Sequence, residues 1–167
     1  PMHVFGYDDG YTGHPEVKFE NVIVPKTNLI GGEGAGFKIA QARLGPGRIH
    51  HCMRTIGMSE RALELISKRT LEREAFGKKL SEQGVIQQWI AKSRIMIEEA
   101  RLLTLKTAWL MDTVGKDQAR IEISAIKVSV IEAATYVIDK AIQAHGAMGV
   151  SQDTPLAKMA AGARVLR

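Results

Sequence analysis

From Phe37 to Arg167 the apolar residues recur every three or four positions, and this period constrains the fold more than any other feature of the chain. Ile49, Cys52, Met53, Ile56, Leu63 and Ile66 step by threes, fours and one seven. Ile86, Ile90 and Ile97 repeat the pattern, as do Ile123, Ile126, Val130, Ala133, Val137 and Ala141. Such spacing places one apolar stripe along each helix and asks for a partner to cover it. It predicts helices over about 35–76, 82–113, 117–145 and 154–167. The first is expected to bend at Gly45-Pro46-Gly47, where proline removes a ladder donor. The joints are short, at Gly77–Ser81 and Val114–Lys116, and long helices on short joints pack antiparallel. The fold class is therefore all-α: an up-down four-helix bundle preceded by a short β segment.

Residues 1–34 differ. Gly, Pro, Asp and Asn recur at short intervals, and only "EVKFENVIVP" alternates, with Val17, Phe19, Val22 and Val24 as its apolar members. It reads as one strand with a bulge or turn at Glu20-Asn21. One strand is not a sheet, so it is expected to complete a β-domain lying mostly elsewhere. "GGEGAG", Gly31 to Gly36, then forms a joint. The expected division is 1–34, the end of a β-domain with its linker, and 35–167, the helical bundle. "PMHVFGYDDG" at the start and "GARVLR" at the end suggest a piece of a larger protein.

Charge and cysteine narrow the function classes. The net charge of +5 comes from basic residues dispersed among acids, without the basic cluster or aromatic platform of a nucleic-acid binder. Cys52 is the only cysteine, so no intrachain disulfide is possible, and a small buried apolar role is expected for it. No apolar run approaches the roughly 20 residues of a membrane span, and no secretory pattern opens the chain.

Few motifs carry chemistry. "GGEGAG" lacks the Lys-Ser/Thr of a phosphate loop and the second strand of a dinucleotide fold, so a hinge is expected. His50 and His51 point about 100° apart on a helix and cannot chelate one metal together. No G-x-S-x-G is present. Glu98 and Glu99 do not face each other as helix neighbours, whereas Arg94, four residues before Glu98, suits a surface or interhelix ion pair. Two runs remain. In "EREAFGKK", Arg73 offers a planar fork for an anion, Phe76 a ring beside it and Gly77 a helix stop. In "AIQAHGAMGVSQDTP", an apolar helix ends in Gln143, His145 and two glycines. Ser151, Asp153 and Thr154 then offer caps ahead of Pro155. Each run also suits a plain helix end or interhelix turn.

These runs, in order with "VKFENVIVPKTNLIGGEGAGFKIAQARLGPGR", resemble the acyl-CoA dehydrogenase family. The likeness covers the last strand of the middle β-domain and most of the C-terminal helical domain, and "LGPGRIHHCMR" resembles the branch with kinase-fused members. It implies a flavoprotein that binds FAD between subunits and α,β-dehydrogenates a fatty acyl-CoA. Arg73 would reach the pyrophosphate of the neighbouring subunit's FAD, with Phe76 beside the cofactor. Gln143, Gly146 and Gly149 match the "Q-x-x-G-G-x-G" turn that touches the FAD from the same side, with Ala147 replacing its second glycine. Asp153 and Thr154 would lie near the flavin. Arg48 matches the arginine that helps hold the CoA end of the substrate.

The departures shape the expectation. The family's glutamine eleven residues after the arginine is Gly84 here, leaving Gln83 beside it and Gln87 one turn on. Gly45 stands where an acidic residue commonly precedes the CoA-binding arginine. Gly47 stands where some members place the general base, and in most members the base falls just past Arg167. No catalytic residue is therefore expected in this chain, and the chain alone is expected to be inactive. The resemblance implies a homodimer or homotetramer with contacts along 82–145, an electron-transfer partner, and a mitochondrial, peroxisomal or bacterial cytoplasmic setting. The alternative function is a non-catalytic oligomerisation or scaffold bundle that kept the fold.

Overall fold

The computed structural model describes Met2 and residues 14–167; apart from Met2, the opening run "PMHVFGYDDG" lies outside the described residues. By contacts the chain divides into two compact units, residues 1–47 and 48–167.

In the first unit the expected strand does not form. Met2 and His14 make an isolated antiparallel bridge, and residues 15–24 carry no regular element. Val17, Phe19, Val22 and Val24 are all exposed, as is Ile23 at 96%. The reason is that a strand exists only through its neighbour: the alternation is present, but among the described residues no second strand takes up the ladder. The turn at Glu20-Asn21 is present, with Asn21 in the left-handed region at φ 49°. A 3-10 turn follows at Lys26–Asn28, its Leu29 N–H closing onto the Lys26 carbonyl at 3.1 Å.

Helix α1 runs from Gly36 to Glu72. Pro46 lies inside it without ending it, although the carbonyl of Ala42 loses its ladder donor there. The unit boundary falls beside that proline, between Gly47 and Arg48.

In the second unit α1 continues and gives way to a minimal hairpin, β1 Glu74–Ala75 and β2 Lys78–Lys79. The register pairs Glu74 with Lys79 and Ala75 with Lys78. A 3-10 turn at Leu80–Glu82 leads into α2, Gly84–Thr113. Then come α3, Arg120–His145, the short α4, Ala147–Val150, and α5, Leu156–Leu166. The four long helices are those the period predicts, in an up-down order. Three starts shift: α2 begins at Gly84 rather than 82, α3 at Arg120 rather than 117, and α5 at Leu156 rather than 154.

Cross-helix contacts fix the antiparallel sense. Lys92 of α2 lies over the Tyr136 ring of α3 at 4.8 Å, and Lys140 of α3 lies over the Trp89 ring of α2 at 5.3 Å. Lys106, near the end of α2, meets Glu122, near the start of α3, at 4.0 Å. Ile56, Ile66, Ile97, Ile126, Val137 and Leu156 form the centre of the core, each at most 3% exposed. Burying a side chain of this size contributes about 1.5–3 kcal/mol, so the stripe read from the sequence supplies the main driving force. Cys52 belongs to the same cluster, and burial pushes its thiol up to about 11, with Lys127 pulling partly back. It is thus a protonated packing residue at neutral pH.

Charged groups clasp α1 to α2. Arg94 reaches Glu60 of α1 at 2.8 Å and Glu98 of its own helix at 3.0 Å, and Arg101 also pairs with Glu60. The interhelix pair foreseen for Arg94 is present, with Glu60 as its partner on the facing helix.

Candidate functional site

The site grows from the end of α1. The helix closes at Glu72, four residues earlier than its period suggests, and Gly77 is not its stop. Arg73 still donates its N–H to the Arg69 carbonyl at 2.9 Å, so it follows the helical path by one more residue. Its own carbonyl accepts from Leu80 N–H at 2.9 Å, which closes the hairpin below it. Phe76 at φ 57° and Gly77 at φ 78° form the two central residues of the turn. Two successive left-handed residues between antiparallel strands are the type I′ arrangement, whose twist suits a two-residue hairpin.

Phe76 is unusual there. A bulky residue in left-handed backbone costs roughly 1–2 kcal/mol, and asparagine or glycine is the ordinary occupant. The ring recovers nothing within the chain, since Phe76 is 97% exposed. Arg73 is also exposed, with no hydrogen bond or ion pair to its guanidinium among the described residues. A strained aromatic held in solvent beside an unpaired cation is an arrangement with no function in the isolated chain. Lys78 and Lys79 are exposed on the same hairpin.

Gln83 occupies the position before α2. Its carbonyl accepts from Ile86 and Gln87 N–H at 3.0 and 3.2 Å, and its half-buried side chain caps nothing. Gln87 instead ties back to the Ser81 carbonyl at 3.0 Å. Gly84 presents open space where a side chain would begin.

The second half of the site is the end of α3. Gln143 is exposed, with no side-chain hydrogen bond among the described residues. His145 is 8% exposed, its Nδ1 2.7 Å from the Ala141 carbonyl, so Nδ1 carries the donated hydrogen. Gly146 ends the helix at φ 62°, ψ −137°, a combination reserved almost entirely to glycine. Gly149 is buried, and a Cβ there would stand 2.5 Å from the Ile142 carbonyl oxygen and 2.9 Å from its Cα. Close approach of α4 to the end of α3 is thus what this glycine permits.

The expected caps of α5 do not form. Pro155 precedes the helix and no side chain caps it. Ser151 donates to the Met148 carbonyl at 2.9 Å and accepts from Asp153 N–H at 3.2 Å, while Thr154 donates to the same carbonyl at 3.3 Å. These residues knit the turn to α4 through the Met148 carbonyl, which also accepts the Ser151 N–H at 3.2 Å.

Because α2 and α3 run antiparallel, the start of α2 and the end of α3 share one end of the bundle. The structure therefore brings Arg73, Phe76 and Gln83 to the same end as Gln143, Gly146 and Gly149. Arg48 is elsewhere. It lies 25 residues up α1 from Arg73, about 37 Å at helical rise, and is half-buried with no side-chain partner among the described residues. One chain therefore cannot turn Arg48 and Arg73 on the same few atoms of a ligand. Among the described residues no group of three or more His, Cys, Asp or Glu could hold a metal. No helix there is long and apolar enough to cross a membrane.

Comparison with known proteins decides the family. The model of the acyl-CoA dehydrogenase C-terminal domain matches residues 34–167. The chain belongs to the acyl-CoA dehydrogenase family. It is 58% identical, over its whole length, to acyl-CoA dehydrogenase family member 11 of Rattus norvegicus. It spans about a fifth of that relative, 22% of its length. A solved structure from Mycobacterium abscessus, provisionally described as an acyl-CoA dehydrogenase, superposes with a TM-score of 0.94 at 49% identity. It covers 99% of this chain and 41% of its own. Butyryl-CoA dehydrogenase of Megasphaera elsdenii superposes with a TM-score of 0.79 at 32% identity, covering 89% of this chain and 38% of its own. The bundle is thus the fold of the family's C-terminal helical domain.

Three features of the family's domain in this chain escaped the sequence reading. The hairpin did, because its signal is a glycine in second place behind an asparagine or aspartate, and Phe76 stands there instead. Glu60 did, because a lone glutamate gives no hint of a helix 34 residues away. Gly149 as a packing residue did, because lack of room is a property of two elements and not of one sequence window.

Proposed function

We propose that this chain is the helical, cofactor-clasping part of an FAD-dependent acyl-CoA dehydrogenase acting on a fatty acyl-CoA thioester. The observation that carries the reading is the hairpin: Phe76 is strained and 97% exposed next to an unpaired Arg73. These are the groups a planar, doubly charged ligand needs, an aromatic face and a guanidinium fork suited to phosphate. The residues present therefore fit FAD. Arg73 and Phe76 would hold its pyrophosphate side, and Gln143 with the Gly146 turn would approach from the end of α3. Gln83 would contribute beside them, while Gly149 keeps that turn against α3. FAD, when bound, supplies the acceptor for the hydride that leaves the substrate's Cβ.

What the chain's own residues contribute is placement. The hairpin and the α3 end present their groups on backbone already fixed by helices, so little ordering cost remains on binding. Arg48, at the other end of the bundle, is proposed to hold the CoA end of the thioester. The ~37 Å separation supports the reading in which Arg73 serves the cofactor of a neighbouring copy. An exposed apolar row on α2, Ile95, Leu102, Leu105 and Trp109, supports assembly with a second copy into a dimer or tetramer. The α-proton is proposed to go to a carboxylate; Gly47, where some family members carry one, offers no side chain. Donors to the thioester carbonyl acidify that proton, and burial raises the carboxylate's affinity for it. Residues 1–34 are proposed to complete a neighbouring β-domain, and an electron-transfer protein to reoxidise the flavin.

The test is an anaerobic absorption spectrum of the full-length protein carrying this chain, before and after addition of medium- and long-chain acyl-CoA. A flavin band that bleaches with a thioester is expected. Absence of flavin even after FAD is added would remove the proposal and leave a non-catalytic bundle.

A further inference from the structure

The last turn of α1 holds a second arginine that neither the period nor the family motif singles out. Arg69 accepts, at its carbonyl, the N–H of Arg73 at 2.9 Å. The two residues therefore stand at i and i+4, neighbours on one helix face with Cβ atoms roughly 5–6 Å apart. Four arginines of the bundle are engaged: Arg94 and Arg101 by Glu60, Arg61 by Glu64 at 2.6 Å, and Arg54 by His51 at 3.0 Å; Arg48, Arg120 and Arg164, away from this turn, carry no such partner among the described residues. Arg69 and Arg73 have no side-chain partner among the described residues. Arg69 is also half-buried, and its Nε is sealed from solvent with no acceptor.

Position at the end of a helix explains one cation, since the carbonyl end favours positive charge by about 0.3–1 kcal/mol. It does not explain a desolvated N–H without an acceptor, which costs about 1–3 kcal/mol and more on a charged group. Two adjacent cations that make no ion pair with the intervening Glu72 repel each other as well. Both penalties are relieved by one event, the arrival of an anion with several acceptor oxygens on the Arg73 side. The long Arg69 side chain turns from its sealed position to donate to it.

We infer that Arg69 is a second cofactor-anchoring residue, pairing with Arg73 as a two-arginine clamp on the pyrophosphate bridge of FAD. A single fork can satisfy one phosphoryl group; two forks one helical turn apart match two linked groups. The inference rests on the cofactor reading above and adds a residue to it.

The experiment is FAD titration of the apo form of the full-length protein, followed by flavin fluorescence, for wild type, Arg69→Gln, Arg69→Lys and Arg73→Gln. Inorganic pyrophosphate serves as a competing probe, and thermal unfolding is recorded for each apo-protein. Expected are a roughly tenfold or larger rise in Kd for Arg69→Gln, as for loss of a charged hydrogen bond, partial recovery in Arg69→Lys, and weaker pyrophosphate competition in both. Normal FAD affinity and pyrophosphate competition in Arg69→Gln, with Arg73→Gln impaired, overturn the clamp and leave the cofactor reading standing. Normal FAD affinity in both glutamine variants overturns the two together. A loss in Arg69→Gln that tracks a fall in apo-protein melting temperature and is not recovered by Arg69→Lys also overturns the clamp, because the role is then structural.

Discussion

Replacing Phe76 by asparagine should stabilise this chain and weaken its cofactor site, and the two effects come from separate parts of the same residue. The backbone part is the left-handed turn. Phe76 sits at φ 57°, where a bulky side chain costs roughly 1–2 kcal/mol and asparagine is tolerated. The side-chain part is nearly absent from the fold. At 97% exposure the ring covers only about 6 of its ~200 Å², worth on the order of 0.2 kcal/mol. The balance favours Phe76→Asn by about 0.5–1 kcal/mol. In urea, at a slope of about 1–3 kcal/mol per molar, this moves the midpoint of the 167-residue chain up by roughly 0.2–1 M with the slope unchanged. The same substitution removes an aromatic face from the proposed FAD site, a loss of about 0.5–1.5 kcal/mol, or roughly three- to tenfold in Kd. A lowered urea midpoint would refute the reasoning, because the ring would then be packing inside the chain. A raised midpoint with unchanged FAD affinity would keep the turn argument and end the functional one.

Gly149→Ala should destabilise by about 1–3 kcal/mol, because its Cβ would meet backbone at 2.5 and 2.9 Å, which no rotamer change relieves; urea unfolding measures it. Ile97→Ala removes a fully buried side chain from the centre of the bundle and should cost about 2–5 kcal/mol in the same assay. Glu60 is held below the ordinary carboxyl range, first by the Arg94 hydrogen bond, against the opposing effect of burial, and further by the Arg94 and Arg101 charges. Its contribution is therefore present above the unfolded value near 4.5 and is lost as pH falls through its lower folded value. Glu60→Gln should thus narrow its stability gap from wild type as pH falls below about 4.5; a gap that holds constant from pH 7 to 3 would contradict the pairing.

The parts of this fold that were legible from sequence are those set by one stripe on one helix. Ile97, Ile126 and Val137 announce their burial through a period of 3.6, and the short joints then leave little choice but antiparallel packing. The helix ends were less legible because capping is settled by neighbours. Ser151 and Thr154 have the chemistry of N-caps for α5, yet they bond the Met148 carbonyl, which α4 presents closer to hand. The strand over 16–25 shows the same limit from the other side, since its alternation is intact and its partner is what is missing.

The site divides along that line too. Arg73, Phe76 and Gln143 were reached through a family resemblance, and their geometry supplies an independent reason that the resemblance lacks. A helix end would have been served by Gly77 alone as a stop. Instead the chain ends α1 at Glu72 and spends the next residues on a turn whose first left-handed position carries the wrong residue for stability. Natural sequences break a local rule chiefly where something outside the fold compensates. Phe76 breaks one, and the unpaired Arg69 and Arg73 break another within a single turn of helix. Two violations with one remedy, an anionic ligand with a planar body, are what the proposed placement of the ligand at the end of α1 rests on.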